Sequence, residues 1–307
     1  MHPTILAIFL EFSRIPASMC GAAIFLFLIA LWAAKTDIAR ASGLDKIVVL
    51  SNLCFALPLA VFGAEHLSDP GDIAPLVPSF VPWHLFWTYF VGFALLAASL
   101  SIATKIQVRW SGLLFGIMMF LFVSMMDIPG ALANPRDRFA WTLLLRELAF
   151  GGGGWILAGN SLREQINEYG RGRRGSELIT VGRVLTGIAA TFYGVETFLH
   201  PTSCPGIPLE KLMPAWIPGQ LLIGYLTGAV LVAAGVSILL AKKTRMAATY
   251  LGTWIVLLVV FVYGPILIAS LLDPSTAVKV EGLNYFFDTL LFGGTVLALA
   301  RATPRTD

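Results

Sequence analysis

The stretch 193-YGVETFLHP-201 has a counterpart in 62-FGAEHLSDP-70. Gly63 matches Gly194, Glu65 matches Glu196 and Pro70 matches Pro201, all at an offset of 131. An acidic, proline-ended phrase written twice in a very apolar chain points to duplication, and the correspondence continues outward. At an offset of 136 it runs without a gap from Pro78/Pro214 to Pro129/Pro265, with VPSFVP answering MPAWIP. Tyr89 meets Tyr225, Gly92 meets Gly228, Ser101 meets Ser237, Arg109 meets Arg245 and Gly116 meets Gly252. After one more small insertion, LAFGG at 148–152 answers LLFGG at 290–294, at an offset of 142. Matching leucines follow from composition alone, whereas matching Pro, Tyr, Gly and Arg do not.

The 307 residues are 57% apolar and 13% charged, against roughly 25% charged in soluble domains. Composition therefore predicts an integral membrane protein whose principal partner is the lipid bilayer. The net charge of +3 is too small to suggest a nucleic-acid partner. Three cysteines, Cys20, Cys54 and Cys204, stand far apart with no C-x-x-C, which removes the usual thiol-redox and zinc-ribbon signatures. Met19 precedes Cys20, so lipoprotein processing is not expected and the N-terminus should be retained.

Apolar runs of about 20 residues, enough for a hydrocarbon core of roughly 30 Å, fall near 16–34, 46–64, 82–104, 111–133, 139–159, 178–199, 217–241, 247–271 and 283–302. The expected fold is all-α: an N-terminal transmembrane helix (1–43), a four-helix unit (44–160), a polar linker (161–177) and a second four-helix unit (178–303). Residues 4–12 are a further candidate for an interfacial helix. Each unit has an even number of helices, so the second re-enters the bilayer with the same orientation, as in parallel repeats. Basic residues fall in alternate loops, among them Lys35, Arg40, Lys105, Arg109, Arg163, Lys242, Arg245 and Arg301, which the positive-inside rule places in the cytoplasm. The expectation is a bacterial-type plasma membrane, with the N-terminus outside and the C-terminus cytoplasmic.

Arg183, Gly187, Phe192 and Gly194, ending at Pro201, resemble the first-helix pattern of DoxX-like membrane proteins. FFDTLLFGG at 286–294 is similar to their fourth helix. The resemblance covers each unit, roughly 45–159 and 178–302. The first unit departs from the pattern with Asn52 in place of Arg183 and Ala56 in place of Gly187, and Glu65-His66 and Glu196 stand where many members carry a lysine. The family includes subunits associated with thiosulfate:quinone oxidoreductase. The resemblance thus implies a quinone, not covalently bound, and a membrane or peripheral oxidoreductase partner.

An ionisable side chain near the bilayer centre costs about 2.5 to 3.5 kcal/mol on insertion scales. Arg146 lies about 12 Å along its helix if entry is near Arg138, at roughly 1.5 Å per residue. Adjacent helical residues diverge by about 100°, so Arg146 and Glu147 are each expected to need a partner on another helix. Arg146 and Asp288 are equivalent positions in the two units, each just ahead of a glycine run that permits close helix approach. They form the expected structural ion pair. Two polar sites are expected beneath the loops of the acidic side. Glu65, His66 and Asp127 line one, Glu196, Tyr263 and Asp288 the other, and Glu147 completes the candidate set. Asp127 and Tyr263, at equivalent positions, each precede by two residues a proline expected to help end its helix.

Glu65, His66 and His84 are weak candidates for a metal, with no strong metal spacing. Trp83, Trp87, Trp141 and Trp216 read as an interfacial belt, and Arg183 as a snorkelling anchor. The leading expectation is a membrane subunit of a quinone-linked redox system with a polar site near the outer leaflet. A transporter of a small molecule or lipid, and a structural subunit without chemistry of its own, are the alternatives.

Overall fold

The computed structural model describes residues 13–167, 173–205 and 211–304, so the candidate interfacial helix at 4–12 lies outside the described residues. Nine long helices carry the fold, and no strand occurs among the described residues. They are α1 (Arg14–Arg40), α2 (Ser51–Ser68), α3 (His84–Thr104), α4 (Val108–Ala133), α5 (Arg138–Asn167), α6 (Arg173–Leu199), α7 (Gln220–Leu239), α8 (Thr244–Leu271) and α9 (Thr276–Ala302). Among the described residues, eight helices, all but α5, are long and apolar enough to cross a membrane. Helix α5 forms at the expected place, but Arg146, Glu147 and four consecutive glycines dilute its apolar character. Phe80, Leu222 and Phe261 are each 70 to 72% exposed. Large apolar side chains left on the surface in such numbers match a lipid surround rather than water, and mark the chain as an integral membrane protein.

Helices α2 to α5 pack in sequence, as do α6 to α9, and the two groups meet through α2 on α9, α5 on α6 and α5 on α9. Helix α1 lies against α2 and α3. The most enclosed elements are α2 and α9: from Ser51 to Val61, and from Phe287 to Ala300, every residue is buried. Glycine sets the spacing in α5, where each of four successive positions meets a different surface. Gly151 faces Phe120, Gly152 faces Gly182, Gly153 faces Thr295 and Phe55, and Gly154 faces Gly112. Along α5 and α9 the contacts advance together, from Arg146 with Asp288 to Gly153 with Thr295. The two helices therefore run parallel. Glu65, at the end of α2, and Glu196, near the end of α6, reach the N-terminal parts of α9 and α5 respectively. They consequently lie at one end of the bundle, termed the acidic end below.

At the opposite, basic end, cationic side chains satisfy the carbonyls that helix C-termini leave without intrahelical partners. Arg183 donates to the carbonyls of Ile238 and Leu239, Arg245 to those of Ala300 and Thr303, and Arg163 to that of Ala302. Arg183 is thus a helix cap rather than a free anchor. Asp45 pairs with Arg245 at 2.8 Å, and Asp37 with Lys105 at 2.7 Å.

One sequence expectation needs correction. Pro129 and Pro265 do not end their helices. The chain passes through a π-helical turn, Val123–Asp127 in α4 and Val259–Tyr263 in α8, and continues as α-helix from Ile128 and from Gly264. A proline lacks an amide hydrogen and crowds the preceding turn; the wider turn changes the hydrogen-bond register just before it, so the axis continues. Within the polar linker, the described residues continue the flanking helices: α5 extends to Asn167 and α6 starts at Arg173. The sequence LREQIN is rich in helix-forming residues, which local polarity does not oppose.

Between α6 and α7 the connection folds back over the acidic end. Cys204 N–H donates to Lys211 O at 2.7 Å and Met213 N–H to Thr202 O at 2.9 Å, while Cys204, Met213 and Ile217 are buried. Burial pushes the Cys204 thiol up to about 12. Thiolate, the reactive form, is then scarce at neutral pH. In a variant that keeps Cys204 as its only cysteine, a soluble maleimide is expected to label the folded protein at least about 100-fold more slowly than the unfolded chain. Equal rates would mean that the cap is not closed over this side chain.

Candidate functional site

The buried charge of the molecule is concentrated where α5 meets α9. Arg146 Nη1 donates to Asp288 Oδ2 at 2.6 Å, and Asp288 is only 8% exposed. Arg146 also donates to Glu147 Oε1, from Nη2 at 3.0 Å and from Nε at 3.3 Å. The expectation that each must look to another helix thus holds for Arg146, which reaches Asp288 on α9, but not for Glu147, which pairs with Arg146 itself. The Cβ directions diverge as expected, but both side chains are long enough to curl back, and one guanidinium has donors for two carboxylates. This two-sided engagement satisfies an arginine that would otherwise be costly in a low-dielectric setting.

Around this centre stand two residues that sequence reasoning missed. Tyr193 is fully buried, donates its hydroxyl to Thr142 O at 2.8 Å and stands edge-on to Phe292. Asn284 donates to Glu65 Oε1 at 2.9 Å, which ties α2 to α9. A signal for Asn284 was present: Asn284, Asp288 and Thr295 are spaced by four and seven residues, a single face of one helix. Tyr193 had no such signal, because an isolated tyrosine in an apolar helix also suits an interfacial belt.

The expected groupings of Glu65, His66 and Asp127, and of Glu196, Tyr263 and Asp288, are rearranged by these contacts. Glu65 turns to α9, while His66 turns the other way and its Nδ1 lies 2.8 Å from the Phe62 carbonyl on its own helix. Asp127 ends the π-helical turn of α4, within Coulombic reach of Glu147 and Arg146, and its Oδ2 has no hydrogen-bond partner among the described residues. Glu196 pairs with Arg138 at 3.3 Å, with His200 Nε2 at 3.9 Å. Tyr263 is buried and donates to Pro205 O at 2.8 Å, holding the cap down. Asp288 belongs to the arginine centre. Among the described residues no three His, Cys, Asp or Glu side chains gather as a metal set, and Glu65 and His66 turn to different neighbours. Trp83, Trp87 and Trp216 are exposed, as an interfacial belt requires, and Trp87 also borders a cleft.

That cleft runs between α3 and α4, with a volume of about 630 Å³. Its walls are apolar, with Trp87, Val91, Ala94, Met118 and Phe122 among them. Ser111 lies at the basic end of the lining and Met126 at the acidic end, a length of about 20 Å at the helical rise. Two lining hydroxyls are already engaged, Thr88 with His84 O at 3.0 Å and Ser111 with Ser101 Oγ at 2.6 Å. His66 is the one titratable side chain on the wall. The cleft is thus an apolar slot with an imidazole near one end. Comparison with protein families, with curated proteins and with solved structures gives no match to this chain.

Proposed function

We propose that this integral membrane protein is a subunit of a quinone-linked redox system, and that it holds a quinone-class amphiphile in the cleft between α3 and α4. The observation that carries the reading is the cleft itself: an apolar slot about 20 Å long at the helical rise, with His66 near its acidic end. A molecule with a single long tail and a compact polar head matches that distribution of polarity, since pockets bind through apolar walls with a few placed polar groups. Electrons come, in this reading, from a membrane or peripheral oxidoreductase partner.

The reading includes an N-terminal helix (1–43) followed by two parallel units of DoxX-like type, 44–160 and 178–303. Support comes from contacts that recur at the sequence offsets. Asn52 donates to Ile102 O, and Arg183, 131 residues later, donates to Ile238 O, 136 residues later. Gly63 abuts Gly92 as Gly194 abuts Gly228. Lys105 and Gln107 have left-handed backbones, and so do Ala241 and Lys243. The π-helical turns Val123–Asp127 and Val259–Tyr263 are likewise 136 residues apart. Different side chains making the same contact, as with Asn52 and Arg183, follow naturally from descent of two units from one backbone. On this reading the acidic end faces outward and the basic end the cytoplasm of a bacterial-type cell.

Equilibrium binding of a labelled, tailed quinone to the full chain in nanodiscs tests the proposal. Saturable binding above that of empty nanodiscs is expected in at least one redox state of the ligand. Uptake that rises linearly in both states, as for simple partition into lipid, would remove the quinone site and with it the redox reading.

A further inference from the structure

The two helix groups differ at the site of the cleft. Between α7 and α8, Trp254 reaches across and its indole N–H donates to Thr227 Oγ1 at 3.1 Å, with Thr227 fully buried. The positions 136 residues earlier are Met118 on α4 and Val91 on α3, and both line the cleft. An indole has become a flexible thioether, a hydroxyl has become a methyl, and Val230 is answered by the smaller Ala94. The slot between α3 and α4 is therefore the space that Trp254 fills between α7 and α8. At the basic end α3 and α4 remain tied through Ser111 and Ser101.

The imidazole adds a chemical preference. His66 Nδ1 lies 2.8 Å from the carbonyl oxygen of Phe62. A carbonyl can only accept, so Nδ1 carries the hydrogen, and in the neutral ring Nε2 is left as an acceptor. A head group that donates, such as a hydroxyl, satisfies that nitrogen; a carbonyl head does not.

We infer that the cleft is a single site per chain, confined to the first helix group, for the hydroxyl-bearing form of a single-tailed amphiphile. Its hydroxyl donates to His66 Nε2 and its tail lies between α3 and α4. This rests on the amphiphile reading given above and deepens it: of a quinone couple, the site takes the reduced, quinol member. Met118 and Val91 determine that a site exists, and His66 determines which redox form occupies it.

The experiment compares a hydroquinone bearing one saturated alkyl tail, kept anaerobic, with the corresponding quinone, on the full chain in nanodiscs. The hydroquinone is expected to bind about 10-fold more tightly, the worth of one hydrogen bond, at one molecule per chain. His66→Phe should bring hydroquinone affinity down to that of the quinone and leave the quinone unchanged. Met118→Trp combined with Val91→Thr, which transplants the pair that closes the other group, should abolish saturable binding of both. Trp254→Phe should alter neither affinity. Equal affinity for the two forms, or a His66→Phe effect shared equally by both, overturns the inference while leaving an amphiphile site in place; so does a stoichiometry of two. Failure of both forms to saturate removes the amphiphile reading together with the inference.

Discussion

Replacing Arg146 by methionine is expected to destabilise the folded protein by about 3 to 5 kcal/mol, the cost of breaking a buried ion pair from one side. The side chain holds two carboxylates, Asp288 at 2.6 Å and Glu147 at 3.0 Å. Its loss leaves both without their cation at the junction of α5 and α9. Glu147→Gln should cost less, because Arg146 keeps its bond to Asp288. The informative variant is the exchange Arg146→Asp with Asp288→Arg. Either change alone gathers like charges beside Glu147 or sets two guanidiniums against one carboxylate, whereas the exchange restores opposite charges across the same junction. Thermal unfolding in detergent, followed by intrinsic fluorescence, should show the exchanged protein recovering at least half of the stability lost by the worse single variant. An exchange no more stable than either single change would mean that the contact does not hold α5 against α9.

Gly294→Leu is expected to prevent α2 from seating against α9 and to leave little folded protein, and Gly294→Ala to cost about 1 to 3 kcal/mol. A methyl carbon built on Gly294 would stand 2.6 Å from the Phe55 amide nitrogen and 2.7 Å from the Cys54 carbonyl carbon. These are backbone atoms, so no rotamer change relieves the contact and the two helices must separate. The separation would also disturb Gly153 against Thr295 and Phe55, in the same layer. Gly21 on α1 is the control, since nothing lies within 4 Å of the position a methyl would take. There Gly→Ala should be neutral or stabilising by up to about 1 kcal/mol through helix propensity. Comparable losses at both positions, measured by the same unfolding assay, would mean that helix spacing is not what Gly294 provides.

These two predictions draw unequally on sequence and structure. Apolar runs of membrane length, the cost of an arginine well inside one of them and the spacing role of a glycine run all follow from local composition and the bilayer as solvent. That α4 and α8 pass their prolines was not legible, because a π-helical turn depends on where the neighbouring helices hold each end. Nor was the dispersal of Glu65, His66 and Asp127 to three different neighbours. Sequence gives their depth along the helices, but depth says nothing of direction around an axis.

By itself, then, the chain determined where its helices fall and the order of the charges along each, since these depend on residue order along a single axis and on contact with lipid. Tertiary structure alone decided the rest: that Arg146 serves Glu147 as well as Asp288, that Tyr193 and Asn284 join the polar interior, and that a slot opens beside Met118 where Trp254 closes the corresponding place. The physical reason is that a side chain's neighbours depend on the rotation of its helix, which the packing of all nine settles jointly. A cavity, moreover, is a property of atoms missing from two helices at once.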